Sequence, residues 1–224
     1  MISPTILRDQ VRTVYARGAC WHDTFARVVT LGLEPWLRQR MVSRLGLHPG
    51  ATVLDLACGT GLNFAALEAA VGPTGRLIGV DLSPAMLAEA REKVVAHGWR
   101  NVTLIVADAT TFQLARPVDA VLCTLAIGLM PDPEAVIQAM VTMVRRGGRV
   151  LISDARLVER WYGWVVNPLL RWGGRPWLPP VIRERYWTVR PWEALRALTE
   201  DFGYEEWLGG ALYVAWGRRK ETPE

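Results

Sequence analysis

The chain has 224 residues, half of them apolar, which is enough for one substantial hydrophobic core and too short for two full domains. Its longest charge-free runs, such as Ala120 to Pro131, span about a dozen residues against the roughly 20 a membrane-crossing helix needs; the first dozen residues also lack the apolar run and cleavage site of a secretory signal, so a cytoplasmic protein is expected. A net charge of +4, from 26 basic and 22 acidic residues, makes a weak case for nucleic acid, and Cys20, Cys58 and Cys123 lack the spacing of a zinc site or disulfide framework, so no metal is expected.

Residues 6 to 46 are patterned as helix, with Pro35 opening a segment whose Trp36, Leu37, Met41, Val42 and Leu45 are expected to lie on a sheet. From Thr52 onward, short β-branched or leucine-rich runs alternate with longer segments of helical spacing, the pattern of an α/β fold with a mostly parallel sheet. Strands are predicted at Thr52–Leu56, Leu77–Val80, Val102–Val106, Val118–Cys123 and Arg149–Ser153. Between them, Ser83-Pro84 and Asp132-Pro133 each pair an N-cap with proline at the first helical position, and Gly147-Gly148 is expected to end the second of these helices. Ala155 to Trp187 has no clean period and carries Pro168, Pro176, Pro179 and Pro180, so an inserted lid with short helices at most is expected there. Trp192 through Phe202 reads as a helix, followed over Glu206–Gly217 by an antiparallel strand pair turning at Gly209-Gly210. The expected organisation is a single domain over 1–224: a helical cover (1–50), a core (51–154), a lid (155–190), and a C-terminal helix with a strand pair (191–224).

The most informative stretch is Val53-Leu54-Asp55-Leu56-Ala57-Cys58-Gly59-Thr60-Gly61, a buried strand entering a glycine-containing turn at the start of a helix. Glycines let a ligand approach the backbone, and the helix N-terminus presents free N–H groups. A dinucleotide site would want a third glycine at position 64, where this chain has Phe64. Asp55, inside the strand, can reach the amino group of a bound amino acid or order water beside it, and S-adenosylmethionine (SAM) has that group where NAD does not. Asp81 ends the second strand 20 residues beyond Gly61, where an acid can bond ribose hydroxyls, and Asp108 ends the third, where it can accept from adenine's exocyclic amine.

The runs VLDLACGTG, GVDLSPAML and IVADA, in this order within residues 52 to 154, resemble the first three motifs of class I SAM-dependent methyltransferases. The resemblance implies a Rossmann-like, seven-stranded, mostly parallel sheet with a reversed final strand, here Leu212–Trp216, and SAM as cofactor. It places Gly59 and Gly61 on the methionine portion, Asp81 on the ribose, and Asp108 with Ala109 around the adenine. Asp55, Ala57, Cys58, Asn63, Leu82, Met86 and Cys123 complete the expected cofactor contacts. Cys58 follows a helix-entry position that can lower a thiol's pKa, but small residues are common there in the family, so it is read as a packing residue.

The acceptor is less legible. Where methyltransferases acting on base or amide nitrogens carry an Asn/Asp-Pro-Pro-Tyr/Phe motif, this chain has Cys123-Thr124-Leu125-Ala126-Ile127-Gly128, which argues against nucleic acid. Tyr15-Ala16-Arg17-Gly18-Ala19-Cys20-Trp21-His22-Asp23 resembles the segment that folds over the cofactor mouth in quinone C-methyltransferases and bacterial phospholipid N-methyltransferases, with His22 replacing a tyrosine. Tyr15 and His22 are therefore the candidate catalytic residues, imidazole being able to take up a proton near neutral pH. Eight of the eleven tryptophans lie beyond residue 155, interleaved within 155–187 with arginines, a mixture that suits either a bilayer interface or an aromatic pocket roof. Both favour a lipophilic acceptor, a phospholipid amine headgroup or a prenylated quinone-type ring, with possible roles for a soluble aromatic or polyketide-type acceptor or for aminocarboxypropyl transfer left open; peripheral contact with the inner membrane surface goes with the first pair.

Overall fold

A computed structural model describes residues 4–221. Two helices come first, α1 (Pro4–Val29) and α2 (Glu34–Ser43). The α/β core follows as β1 (Thr52–Leu56), α3 (Phe64–Val71), β2 (Arg76–Asp81), α4 (Pro84–Ala96), β3 (Val102–Val106), β4 (Val118–Thr124), α5 (Pro133–Met143) and β5 (Val144–Ala155). The roof segment holds α6 (Gly163–Gly174) and the single turn α7 (Arg183–Tyr186), and the chain closes with α8 (Pro191–Leu198), β6 (Thr199–Trp207) and β7 (Leu212–Arg219).

The seven strands form one sheet in the order β3-β2-β1-β4-β5-β7-β6. Pairings from β3 through β5 are parallel, and β7 runs antiparallel to both β5 and β6. The order reverses between β1 and β4, the switch point where open α/β sheets leave a crevice at their carboxyl ends. Alternation along β1 sorts the two layers of core: Val53 packs with Leu67, Leu77 and Leu122 on the α2–α3 side, while Leu54 and Leu56 pack with Ile137, Met140 and Leu195 on the α5–α8 side. Asp55 shares the face of Val53, so a carboxylate is buried on the α2–α3 side. Both proline-led helices start as their sequences imply, Ser83 Oγ accepting from Met86 N (3.4 Å) and Asp132 Oδ1 from Ala135 N (3.0 Å).

Four expectations change. Trp36 is 53% exposed and lies under Arg40 beside Trp207 rather than on the sheet, although Leu37, Met41, Val42 and Leu45 are buried. Helix α5 ends at Met143, before the glycine pair, and Gly147-Gly148 sits where the β4–β5 register skips from Val118↔Val144 to Ala120↔Arg149. The C-terminal helix stops at Leu198 because the chain must turn into an edge strand; Asp201 takes a left-handed φ of 50° at the irregularity between Glu200 and Gly203. The lid contains a full 12-residue helix, α6, with Pro168 inside it.

Gly148 has no room for a side chain, since a Cβ there would lie 2.5 Å from the Asp119 carbonyl oxygen. Gly148→Ala should therefore cost about 1–3 kcal/mol of stability by forcing β4 and β5 apart, read as a lower urea midpoint at unchanged m-value.

Candidate active site

The carboxyl ends of β1 to β4 open into a cavity of about 250 Å³, roofed by one face of α1. Thr5, Arg8, Arg12, Tyr15 and His22 recur at helical spacing along that face, which explains why residues so far apart in sequence line one space. From the sheet side come Ala57, Cys58, Gly59, Asp81, Leu82, Met86, Asp108 and Ala109, all among the expected cofactor contacts.

The loop after β1 is held by its backbone. Cys58 N donates to Val80 O (2.9 Å), and Ala57 and Gly59 take left-handed φ values of 57° and 56°. Strain of this kind in a non-glycine residue persists only where surrounding contacts over-determine it. At Gly59 a Cβ would stand 3.1 Å from Met86 Cε, so the glycine keeps a narrow slot open. Asp81 ties the loop to the next turn: its Oδ2 accepts from Gly59 N (2.8 Å) and its Oδ1 from Ser83 N (2.8 Å). Burial raises the Asp81 pKa, and those backbone bonds work against the rise. Asp108 uses Oδ1 for the N–H and hydroxyl of Thr110 (2.9 and 2.7 Å), while its Oδ2 faces Arg8 at 3.7 Å.

Behind this wall lies a buried polar network. Asn63 Nδ2 donates to both oxygens of Asp55 (3.1 and 3.0 Å) and to Thr124 Oγ1 (3.0 Å). Arg38 Nη1 donates to Asn63 Oδ1 (2.6 Å), and Arg38 Nε pairs with Glu34 one helical turn earlier. Desolvation pushes the Asp55 carboxyl up to about 7, against the pull of Asn63 and Arg38. Asp55, Gly61 and Asn63 are thus set back from the cavity, which Arg38 and Thr124 reach in their place. Gly61 meets Phe64, whose ring a Cβ would approach to 2.6 Å. Cys123 is a correction: fully buried, it packs with Ile127 and Tyr213 in the core on the α5–α8 side and does not line the cavity. Cys58 borders the cavity, but burial drives its thiol pKa well up, as fits a packing residue.

At the acceptor end, His22 Nδ1 lies 3.4 Å from Asp23 Oδ1. Burial would raise the Asp23 pKa, but bonds from His22, Lys93 and Thr60 prevail and hold it well below the usual carboxylate range. Asp23 reaches Lys93 Nζ at 2.6 Å and Thr60 Oγ1 at 2.6 Å, so the same carboxylate pins α1 to α4 and to the β1 loop. Tyr15 is partly buried near Asp154 and Asp81, and desolvation followed by those charges raises its pKa far enough to keep the phenol protonated. Trp177 from the roof packs against Tyr15, His22 and Phe25 (ring centroids 5.5, 5.3 and 5.2 Å) and rests on Gly18, where a Cβ would be 2.6 Å from its ring. The roof is clamped at its other end by Tyr186, which donates to Asp154, and by Arg185, which donates to the carbonyls of Met130 and Pro131.

A family model described as a methyltransferase domain matches residues 53–148. Aklanonic acid methyltransferase DauC of Streptomyces sp. (strain C5) is 31% identical over 176 residues, covering 77% of this chain and 71% of that protein. The chain belongs to the class I SAM-dependent methyltransferases. Other relatives in this family include a demethylmenaquinone methyltransferase of Shouchella clausii, 31% identical over 153 residues (66% of this chain, 62% of that one). An arsenite methyltransferase of Halobacterium salinarum is 36% identical over 109 residues, and the chain spans 48% of itself and 28% of that protein in the match. The solved DhpI–SAH complex shares the fold at TM-score 0.70 and 21% identity, covering 96% of this chain and 98% of that one.

The residues present fit SAM. The narrow slot at Gly59, the Asp81 carboxylate beside it and the Oδ2 of Asp108, with only Arg8 near it, suit the sulfonium-bearing chain, the ribose and the adenine amine in turn. Losing a charge-assisted bond costs about 1.5–3 kcal/mol, so Asp81→Ala should weaken SAM binding roughly 10- to 150-fold by calorimetry, with Asp81→Asn, which keeps one acceptor oxygen, falling in between.

Asp55 makes a second prediction. Its folded pKa of about 7 lies above the ordinary carboxylate value near 4, so the folded protein holds a proton that the unfolded chain has released, and stability falls as pH rises through that window. In urea titrations at about pH 5 and pH 8, wild type should lose roughly 3 kcal/mol more than Asp55→Asn, which cannot titrate.

Proposed function

We propose that this methyltransferase acts on a lipophilic ring-type acceptor bearing an ionisable hydroxyl, of prenylated quinol or polyketide character. The observation that carries this reading is the wall of the cavity away from the cofactor carboxylates. Leu7, Val11, Leu129, Met130 and Pro131 make it largely apolar, and Tyr15 and His22 are set among them, with Thr5, Arg8 and Arg12 farther along the same face of α1. A ring can be buried there with little desolvation penalty, whereas a charged headgroup would lose water without a compensating carboxylate. The names of two relatives, a demethylmenaquinone and an aklanonic acid methyltransferase, point the same way.

When bound, SAM supplies an electrophilic methyl group. The protein's own contribution is alignment, exclusion of water and handling of one proton. Tyr15, held protonated, donates a hydrogen bond to an acceptor oxygen. His22 takes up the proton that the acceptor hydroxyl must lose; with Nδ1 turned to Asp23, Nε2 is the nitrogen free for this, and the ionised Asp23 supports the imidazolium that forms. An acceptor of this kind resides in lipid, so the enzyme works as a peripheral visitor to a membrane.

Incubation with labelled SAM and a lipid extract tests the reading: label should appear in the quinone-like fraction with S-adenosylhomocysteine as coproduct. Label in aminophospholipids would replace a ring by a headgroup, and methylthioadenosine would indicate aminocarboxypropyl transfer instead. With the acceptor in hand, His22→Ala should lower turnover by about 100-fold or more and Tyr15→Phe by roughly 10-fold, each with SAM affinity nearly unchanged, because general acid–base groups act on the transition state.

A further inference from the structure

The outer face of the roof takes no part in the site. Trp164, Leu169 and Trp172 of α6 are 76%, 64% and 72% exposed, and Trp161, one turn earlier, is 85% exposed. Positions 164, 165, 168, 169 and 172 fall on one side of α6, so these groups form a continuous apolar stripe facing outward, with the exposed Trp161 in the turn that leads into it. The helix cannot roll to hide it. On the inner side Asn167 bonds Val158 twice, accepting from its N–H (2.7 Å) and donating to its carbonyl (3.0 Å), and Gly174 packs against Trp187 and Leu178.

Charge decides what covers the stripe. Helix α6 contains no acidic residue. Residues 155–187 hold six arginines against Glu159 and Glu184; Arg156 and Arg185 turn inward, to Glu206 and to the Met130 and Pro131 carbonyls, and Arg171 and Arg175 are the exposed arginines at the end of α6 beside the stripe. Both glutamates are already engaged, Glu159 with Arg156 and Arg190 and Glu184 with Arg171. A second copy of the chain meeting this face about a two-fold axis would bring like arginines together. Indole rings at headgroup depth with guanidinium groups against phosphate match an anionic lipid surface on both counts.

We propose that the α6 face is a docking surface for an anionic phospholipid bilayer. The site it serves is close at hand, since Trp177, three residues beyond the end of α6, packs on Tyr15 and His22. The biological sense of this docking rests on the lipophilic-acceptor reading, but the binding itself needs no acceptor to be measured.

The test is co-sedimentation of the full chain with phosphatidylcholine vesicles, with and without phosphatidylglycerol. Wild type should bind the anionic vesicles at least about 10-fold more tightly than the neutral ones, and the difference should shrink at high salt as the charge contribution is screened. Trp164→Ser with Trp172→Ser should lower binding to both vesicle types, while Arg171→Gln with Arg175→Gln should remove only the anionic preference. None of these residues lines the cavity, so SAM affinity and methylation of a detergent-dispersed acceptor should stay within about two-fold of wild type, which separates a failure here from a failure of the acceptor assignment. Wild type remaining in the supernatant with both vesicle types would overturn the proposal. So would a dimer, seen by light scattering, that the tryptophan variants dissociate.

Discussion

Asp55 lies in an interior strand, where both neighbours and both faces of the sheet would ordinarily demand hydrocarbon, and its carboxylate is out of reach of water. A charge so placed must be met by partners from every side or be held protonated. The chain recruits Asn63 from the start of α3, Thr124 from the end of β4, and Arg38 with Glu34 from α2. Those bonds reach α2, the start of α3 after the first glycine loop and the fourth strand from one point, so these elements share one set of contacts. Removing a single member leaves a buried charge or amide without its partner, and for that reason the network behaves as a unit.

The rest of the site is arranged around this anchor. With β1 and α3 fixed, the loop between them accepts left-handed backbone at Ala57 and Gly59, and Asp81 closes it from the side through a backbone N–H. Helix α1 is then laid across the opening and pinned by Asp23 to Lys93 and Thr60, so a single carboxylate fastens α1 to α4 and to the loop after β1. His22 gains its ionised neighbour from the same arrangement.

The sheet-side residues of the cavity were legible in the sequence because they are close along the chain and their positions follow from strand ends and turns. The order of Asp55, Gly59, Asp81 and Asp108 placed three strands and a crevice without further information. What was missed depends on contacts between distant segments. Arg38 gives only a Glu34–Arg38 spacing that any exposed helix could show, and nothing local says that it turns inward to Asn63. Asp154 and Tyr186 are 32 residues apart and meet only because the roof folds back over the end of β5. Cys123 was misplaced because strand residues alternate sides: Thr124 reaches the cavity and its neighbour faces the core. The shortened C-terminal helix and the early end of α5 reflect sheet pairing overriding local helical pattern.

Trp177 rests on Gly18, so the roof segment meets α1 at a position with no side chain at all. The floor below it belongs to strand ends that the cofactor residues hold in place. The two therefore rest on different things: the upper contact is one glycine against one ring, while the lower part is tied by the Asp55 network and by the bonds of Asp81. In a scaffold divided in this way, a change of ring or of small residue at the upper contact leaves the hydrogen bonds that shape the lower part as they are.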